Sequence, residues 1–79
     1  MTRNALIAAG NSADRSLLPA ITPLLDDGSP LVRAMAVWAL GRLAAPADHL
    51  AGLRAAHFGK ETDASVLAEW VALGPSAPP

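Results

Sequence analysis

Side chains that could act in catalysis or metal binding are few in this sequence and poorly spaced for either role. His49 and His57 are eight residues apart, which on one helix is about 12 Å and too far for a shared metal ion. The chain has no cysteine, which excludes thiolate metal sites and a cysteine nucleophile. Near predicted helix starts, where hydroxyls accept backbone hydrogen bonds, lie Ser12, Ser16, Ser29 and Ser65. The sequence therefore favours a chain without catalytic activity of its own.

Arginine and asparagine side chains are better candidates for a binding role, because they offer charged or amide donors to phosphate and sugar oxygens. Arg3, Asn4 and Asn11 lie at the ends of the first predicted helix, and Arg15 and Arg42 could extend them into a local basic strip. The formal net charge of −1 gives no bulk basic field, so such contacts must be local. Pairing within turns and a solvated surface remain the alternatives for these residues.

One turn in the middle of the chain shows how the helices are arranged. Gly28 is a typical helix C-cap, Ser29 a typical N-cap, and Pro30 is suited to the first helical position. We therefore expect one helix to end and another to begin within a few residues. The second of these helices carries apolar residues on one stripe and on its flank, so we expect it to be covered on two sides.

Four further helices are predicted around this turn, over residues 2–9, 15–26, 48–58 and 64–73. Gly10 and Asn11 are expected to close the first, Pro23 to bend the second and Asp63 to cap the last. Hydrophobic residues make up 52% of the chain and aromatic residues only 4%, a composition typical of close-packed helices. We predict one domain over residues 1–73 and a disordered tail over residues 74–79, which contains three prolines.

The sequence repeats itself at the spacing of helical pairs. Aligning Arg3 with Arg33, an offset of 30 residues, also aligns Leu6 with Ala36, and Trp70 aligns with the same alanine at an offset of 34. A helical pair of this length cannot bury its own apolar faces, so such units are typical of a solenoid whose core forms by stacking. The sequence predicts an all-α fold, a right-handed α-α superhelix of about two and a half helical-pair repeats.

The central unit resembles the HEAT repeat family. Pro19, Asp27 and Arg33 match that family's proline, aspartate and arginine in type and in their spacings of eight and six. The resemblance implies that Asp27 and Arg33 bond along the row of turns and fasten this unit to its neighbours, with Arg33 paired to an aspartate. Glu61 and Leu67 stand where the pattern has aspartate and arginine, so we expect the row to break at the third unit, as in a C-terminal cap.

A narrower resemblance covers residues 3–73 and links the chain to the C-terminal HEAT-like domain of tRNA epoxyqueuosine reductases. The matching stretches are Arg3-Asn4-Ala5-Leu6 leading to Gly10-Asn11-Ser12, Leu24-Leu25-Asp26-Asp27, Leu31-Val32-Arg33 with Ala36-Val37-Trp38-Ala39-Leu40, and Glu61-Thr62-Asp63 continuing into Ala68-Glu69-Trp70. Ala64 and Leu67 differ from the proline and arginine expected in that ending, so no ligand contact is assigned to the last helix.

That family reduces epoxyqueuosine to queuosine in tRNA, using cobalamin and [4Fe-4S] clusters held by a larger N-terminal portion. The resemblance implies that this chain binds no cofactor and helps to position tRNA beside the catalytic domain. It makes Arg3, Asn4, Asn11, Arg15 and Arg42 candidates for tRNA contact.

The two tryptophans are expected to differ in role. Trp38 could stack on a base, but its position beside Leu31 and Met35 favours packing between repeats. Trp70 aligns with a core alanine and is expected in the core.

A second interpretation is a free-standing HEAT-repeat adaptor that binds another protein through an exposed repeat face. The Ala- and Leu-rich helices and the absence of a basic excess favour it. Self-association through the exposed first repeat is also open. No apolar run approaches the roughly 18 residues of a membrane span, and we expect a cytoplasmic protein without a membrane partner.

Overall fold

The computed structural model describes residues 3–43 and 47–73. The side chains of Arg3 and Ala47 and the predicted tail over residues 74–79 lie outside the description. Every regular element in the described ranges is helical, which confirms the all-α prediction. In chain order they are α1 (Arg3–Asn11), a 3-10 turn (Arg15–Leu17), α2 (Leu18–Ile21), a 3-10 segment (Thr22–Asp26), α3 (Pro30–Arg42), α4 (Ala47–His57), a 3-10 turn (Phe58–Lys60) and α5 (Ala64–Ala72).

The first helix is longer than the sequence predicted. Gly10 and Asn11 belong to α1 and do not close it. The chain leaves the helix at Ser12, whose hydroxyl donates to the carbonyl of Ala9 at 2.6 Å, and Ala13 adopts the left-handed conformation with φ of 58°. A non-glycine residue supplies the turn, so glycine at position 10 needs another explanation.

The second predicted helix, residues 15–26, is broken into three short pieces. Asp14 caps its start by accepting the N–H of Ser16, and only Leu18–Ile21 is α-helical. The chain tightens to a 3-10 segment from Thr22 onward, because Pro23 lacks the N–H that an α-helix would use there. Pro19 lies in the first turn of α2, where no N–H is needed, and it is exposed.

Helix α3 is the centre of the molecule. Ser29 caps its start, accepting the N–H of Val32 at 3.4 Å, and Pro30 is its first residue, as predicted. Helices α1 and α5 both pack extensively against α3 but make little contact with each other, so α3 is covered on two sides. The 3-10 segment Thr22–Asp26 covers a third side of α3.

The core of the described residues is one cluster that draws on all these elements. It consists of Leu6, Ala9, Ile21, Leu25, Ala34, Ala36, Val37, Ala39, Leu40, Leu43, Val66 and Trp70. The alignment of Leu6, Ala36 and Trp70 at offsets of 30 and 34 therefore joins three buried positions. Helices of successive units bury equivalent faces, as stacking in a solenoid requires.

Two glycines bring the helices of the row close together. A Cβ at Gly10 would lie 2.6 Å from Cζ3 of Trp38, so the indole of α3 lies directly on the backbone of α1. The same relation recurs one unit later, where Leu73 lies on Gly41 of α3. In each case the absence of a Cβ lets a large side chain of the next unit pack against the helix backbone. This packing explains why a glycine occurs at position 10 inside a helix.

Contacts at the helix ends show that α1, α3 and α5 run in the same direction. Arg42 at the end of α3 contacts Asn11 at the end of α1, and Arg33 near the start of α3 contacts Glu61, just before α5 begins. The segment Leu18–Asp26 and helix α4 form the second row of the repeat. Leu50 and Leu53 of α4 are partly buried against the core. The described part of the chain is a helical-repeat solenoid with α3 as its middle layer.

Candidate functional site

Two arginines near opposite ends of α3 organise the polar surface of the molecule. We call Asp27, Arg33 and Glu61 the inner arginine site, and Asn11, Trp38 and Arg42 the outer arginine site. Arg33 lies in the first turn of α3 and Arg42 is its last residue. The two sites therefore lie about 14 Å apart along the helix axis.

The inner site is a bidentate ion pair between two units of the row. Nε and Nη2 of Arg33 donate to the two carboxylate oxygens of Glu61 at 2.9 and 3.0 Å, and Nη1 donates to the backbone carbonyl of Asp27 at 2.8 Å. Glu61 also accepts the N–H groups of Thr62 and Asp63, each at 3.0 Å. This arrangement fixes the chain that leads into α5.

This geometry corrects two expectations drawn from the repeat pattern. Arg33 is paired with the carboxylate of Glu61 and not with an aspartate. Glu61, expected to break the row, makes the bond between the second and third units. The carboxylate of Asp27 instead accepts the N–H of Ser29 at 2.8 Å, which holds its own turn. Leu67, at the arginine position of the third unit, has no group that could repeat this pair.

Hydrogen bonding and charge shift the titration of the inner site. Hydrogen bonds from Arg33 hold the pKa of Glu61 below its ordinary value, against an opposing effect of burial. The same bonds raise the pKa of Arg33, which stays charged. Asp63, which caps α5 by accepting the N–H groups of Ser65 and Val66, has its pKa lowered mainly by the Ser65 hydroxyl. All these groups are engaged within the fold.

The outer site is open and loosely held. Nη2 of Arg42 donates to Oδ1 of Asn11 at 3.3 Å, and Cζ of Arg42 lies 5.8 Å from the centroid of the Trp38 ring. Arg42 and Asn11 are exposed, and Trp38 is half-buried because one face lies on Gly10. A cation, an amide and one edge of an aromatic ring thus share a patch of surface.

Other residues predicted to bind do not all join this patch. Asn4 is exposed on α1, seven residues before Asn11, which places the two on the same stripe of the helix about 10 Å apart. Arg15 is exposed at the start of the first 3-10 turn. The side chain of Arg3 lies outside the described residues. The structure brings together Asn11 and Arg42 among these candidates, with Trp38 beside them.

The remaining basic residues that we describe have structural neighbours. Cζ of Arg54 lies 4.9 Å from the centroid of the Phe58 ring, and Nζ of Lys60 lies 3.7 Å from the carboxylate of Asp26. With Arg33 in the inner site, these contacts leave Arg42 as the best-placed cation for a ligand.

An open groove of about 460 Å³ lies between the segment Leu18–Asp26 and helix α4. The sequence did not predict this groove. Its lining is Leu18, Pro19, Thr22, Pro23, Asp26, His49 and His57. Nδ1 of His57 lies 3.4 Å from the carboxylate of Asp26. Within residues 3–43 and 47–73 no group of three metal-ligating side chains is arranged to hold an ion. We therefore interpret the groove as a gap between two packed helical segments.

Comparisons with known proteins agree with this architecture. The family model described as HEAT repeats matches residues 1–75. An uncharacterized protein of Geobacillus stearothermophilus, named for its place in the gldA 3′ region, is 43% identical over 42 residues, which are 52% of this chain and 19% of that protein. This chain thus covers under a fifth of that relative's length. No solved structure matches the chain.

In the described ranges, none of the helices has the length and apolar character needed to cross a membrane. The family match covers nearly the whole chain. The row of stacked helices in the described residues is that of a helical repeat. The chain belongs to the HEAT repeat family.

Proposed function

We propose that the chain is the non-catalytic HEAT-repeat module of a cytoplasmic tRNA epoxyqueuosine reductase, where it helps to position tRNA for reduction of epoxyqueuosine to queuosine. Cobalamin and the [4Fe-4S] clusters would be held by the catalytic domain of that enzyme. The sequence resemblance supplies the enzyme class. The observation that carries the RNA contact is the outer arginine site.

The outer site has the chemistry of a phosphate contact. Arg42 has one hydrogen bond of 3.3 Å to a neutral amide, so most of its guanidinium donors remain for a phosphate. Asn11 and Asn4 extend the patch along α1 with amide groups, and the uncovered edge of Trp38 can contact a sugar or base. With a net charge of −1, binding would depend on this local arrangement.

Fluorescence anisotropy with a labelled tRNA at several salt concentrations tests this proposal. Arg42→Met should weaken binding and reduce the slope of log affinity against log salt by about one. Lys60→Met is the matched control, since it removes an exposed cation that is remote in sequence and adjacent to Asp26. Equal effects of the two variants, or no binding at low salt, would count against an RNA contact at the outer site.

The enzyme assignment has a separate test. In the genome of origin, the coding sequence upstream of this segment should encode a ferredoxin-type run, Cys-x2-Cys-x2-Cys-x3-Cys-Pro. A start codon in use at Met1, with no such run nearby, would remove the assignment to the reductase even if the chain bound RNA.

A second candidate function is that of a protein-binding adaptor, and one exposed residue favours it. Leu31 is 52% exposed on α3, and it shares a stripe with the half-buried Met35 and Trp38. An apolar helix of a partner protein would suit this stripe. A nuclease-resistant complex that is lost in Leu31→Glu and kept in Arg42→Met would favour the adaptor over the RNA-binding module.

A further inference from the structure

The second row of the repeat is anchored to the core in one unit but not in the next. In the segment Leu18–Asp26 the anchors are Ile21, which is 0% exposed, and Leu25, which is 4% exposed. At the repeat offset of 34 residues their equivalents are Ala55 of α4 and Gly59, and both are exposed. The third unit therefore lacks the side chains that hold the corresponding segment of the second unit.

Other side chains of α4 replace these anchors only in part. Of residues 48–57, whose burial is described, none is fully buried. Leu50 and Leu53 are partly buried against the core. Within the described residues α4 packs closely only against the 3-10 turn Phe58–Lys60 that follows it, whereas α1 and α5 pack closely against α3. Helix α4 thus buries little apolar surface, and such burial is what holds a short helix in place.

Open space adjoins α4 on two of its faces. The groove of about 460 Å³ separates α4 from the segment Leu18–Asp26. A second open hollow, of about 350 Å³, is lined by the other face of α4 and by the turn after it. In the described part of the chain no neighbouring atom lies within 4 Å of the position that a Cβ on Gly52 would take. The helix is therefore supported along only part of its surface.

Two polar contacts that join the third unit to the segment Leu18–Asp26 converge on one exposed carboxylate. Nδ1 of His57 lies 3.4 Å and Nζ of Lys60 lies 3.7 Å from Oδ1 of Asp26. The side chain of Asp26 is 65% exposed, so water competes for both contacts, and ion pairs of this kind contribute little to stability. Gly52 also weakens the helix itself, because glycine is a poor helix former.

We propose that α4 and the 3-10 turn Phe58–Lys60, together the α4 segment, open as one unit while α1, α3 and α5 stay stacked. A region with few buried apolar contacts opens at a lower free energy than the core does. Helix α5 does not follow, because its own anchors, Val66 and Trp70, are each 1% exposed. The proposal is independent of RNA binding.

The inner arginine site marks the end of the opening segment. Arg33 of α3 holds Glu61, the residue directly after Lys60, by two hydrogen bonds. The chain is thus fixed to the row of helices where the α4 segment ends. The outer arginine site lies on α1 and α3, so it remains intact when the segment opens. Opening would expose the apolar side of α4 and the part of the core that it covers.

Native-state hydrogen exchange of the wild-type chain in increasing urea tests the proposal. The free energy of the opening that exposes the α4 amides should fall less steeply with urea than that of α3, because local opening exposes less surface than global unfolding. Equal slopes and equal free energies in α4 and α3 would overturn the proposal. A complete lack of protection in α4 without urea would also overturn it, since the segment would then not be closed in the native state.

A variant in the row separates local from global opening. Leu6 is 0% exposed on α1, which does not pack closely against α4 in the described residues. In Leu6→Ala the amides of α3 should exchange at least about tenfold faster, because global unfolding becomes easier. Those of α4 should change by less than about twofold, because Leu6 stays equally buried when the segment opens. The same acceleration in both helices would contradict an independent opening. If this variant does not fold, the urea series still decides.

A glycine substitution tests whether the segment opens as one unit. Gly52→Ala should slow exchange of all the α4 amides about fivefold, because alanine favours the closed helix. Gly28→Ala is the matched control, since it adds the same methyl group at a position that also has no neighbour within 4 Å but lies outside α4. This control should leave α4 unchanged. Slowing confined to the amides next to residue 52, or equal slowing of α4 in both variants, would overturn the proposal.

Discussion

The two arginines of α3 lie on the same helix but in opposite circumstances. The side chain of Arg33 is 18% exposed and makes three hydrogen bonds, two of them to a carboxylate that is 8% exposed. Arg42 is exposed and makes one long hydrogen bond to an amide, beside the ring of Trp38. The residue type is the same, and the number and charge of its partners decide its role.

This contrast distinguishes a polar side chain that is saturated within the fold from one that a ligand could reach. At the inner site the donors are saturated by groups that also fix the start of α5, so a ligand would have to displace part of the fold. At the outer site a ligand would displace one weak contact. We therefore propose that Arg33 contributes to stability and Arg42 to recognition, and the following experiments test that division.

The largest effect is expected from the tryptophan that anchors α5 to the core. Trp70 is 1% exposed, and Trp70→Ala should reduce the free energy of unfolding by about 3–5 kcal/mol because it leaves a large cavity. Trp38→Ala should cost about half as much or less, since its ring is only half-buried at the outer site. Urea denaturation followed by circular dichroism measures both. Equal losses would show that the outer site is as structural as the core.

The next largest difference is expected between substitutions of the two arginines, measured as loss of stability. Arg33→Met should lower the free energy of unfolding clearly more than Arg42→Met does, because it leaves the carboxylate of Glu61 without its charged partner. Arg42→Met should change stability by no more than about 0.5 kcal/mol. Thermal and urea unfolding of both variants would check this, and a destabilised Arg42→Met would remove the distinction between the sites.

Substitutions of Gly10 and Gly41, the two glycines on which a large side chain packs, should also differ in their effect on stability. In Gly10→Ala the new methyl group would lie 2.6 Å from the rigid ring of Trp38, and we expect a net loss of about 1 kcal/mol, because overpacking of about 2 kcal/mol exceeds the gain in helix propensity of about 1 kcal/mol. In Gly41→Ala the obstacle is the flexible end of Leu73, which can move, and the gain in helix propensity of about 1 kcal/mol offsets the contact. A Gly10→Ala variant more stable than wild type would contradict the close packing of α1 against α3.

The smallest effect is the pH dependence that Glu61 of the inner site contributes. Because the pKa of Glu61 is lowered in the folded chain, its contribution is complete above the ordinary value of 4.5 and is lost as the pH falls through the lowered value. The stability difference between wild type and Glu61→Gln should therefore shrink towards acid pH. A comparison of urea midpoints between pH 7 and pH 3 measures it, and a constant difference would show that Glu61 is not charged in the pair.

Much of the fold could be predicted from the sequence because it depends on local signals. Ser29 and Asp63 are capping residues predicted from residue type and position, and in the structure both side chains accept backbone N–H groups at the start of their helices. The repeat offsets of 30 and 34 residues predicted which helices are equivalent, and the buried faces of those helices agree. Each of these features is specified within a few residues or by the repeat itself.

The missed features depend on contacts between units that are distant in sequence. The fit of Gly10 to Trp38 spans 28 residues, and turn chemistry near position 10 suggested a cap instead. Glu61 differs from the expected aspartate by one methylene, and its reach to Arg33 is visible only when both helices are placed. Within the candidate site, the sequence named Asn11 and Arg42 but could not show that they are neighbours.

Hydrogen exchange of the backbone amides is the most direct test of the central claim, that α1, α3 and α5 form one row with α3 as its covered middle layer. The amides of α3 should exchange slowest, because helices cover it on both sides. Those of α1 and α5 should be intermediate, and those of α4 fastest. Equal protection in all four helices, or protection of α4 that matches α3, would contradict a stacked row.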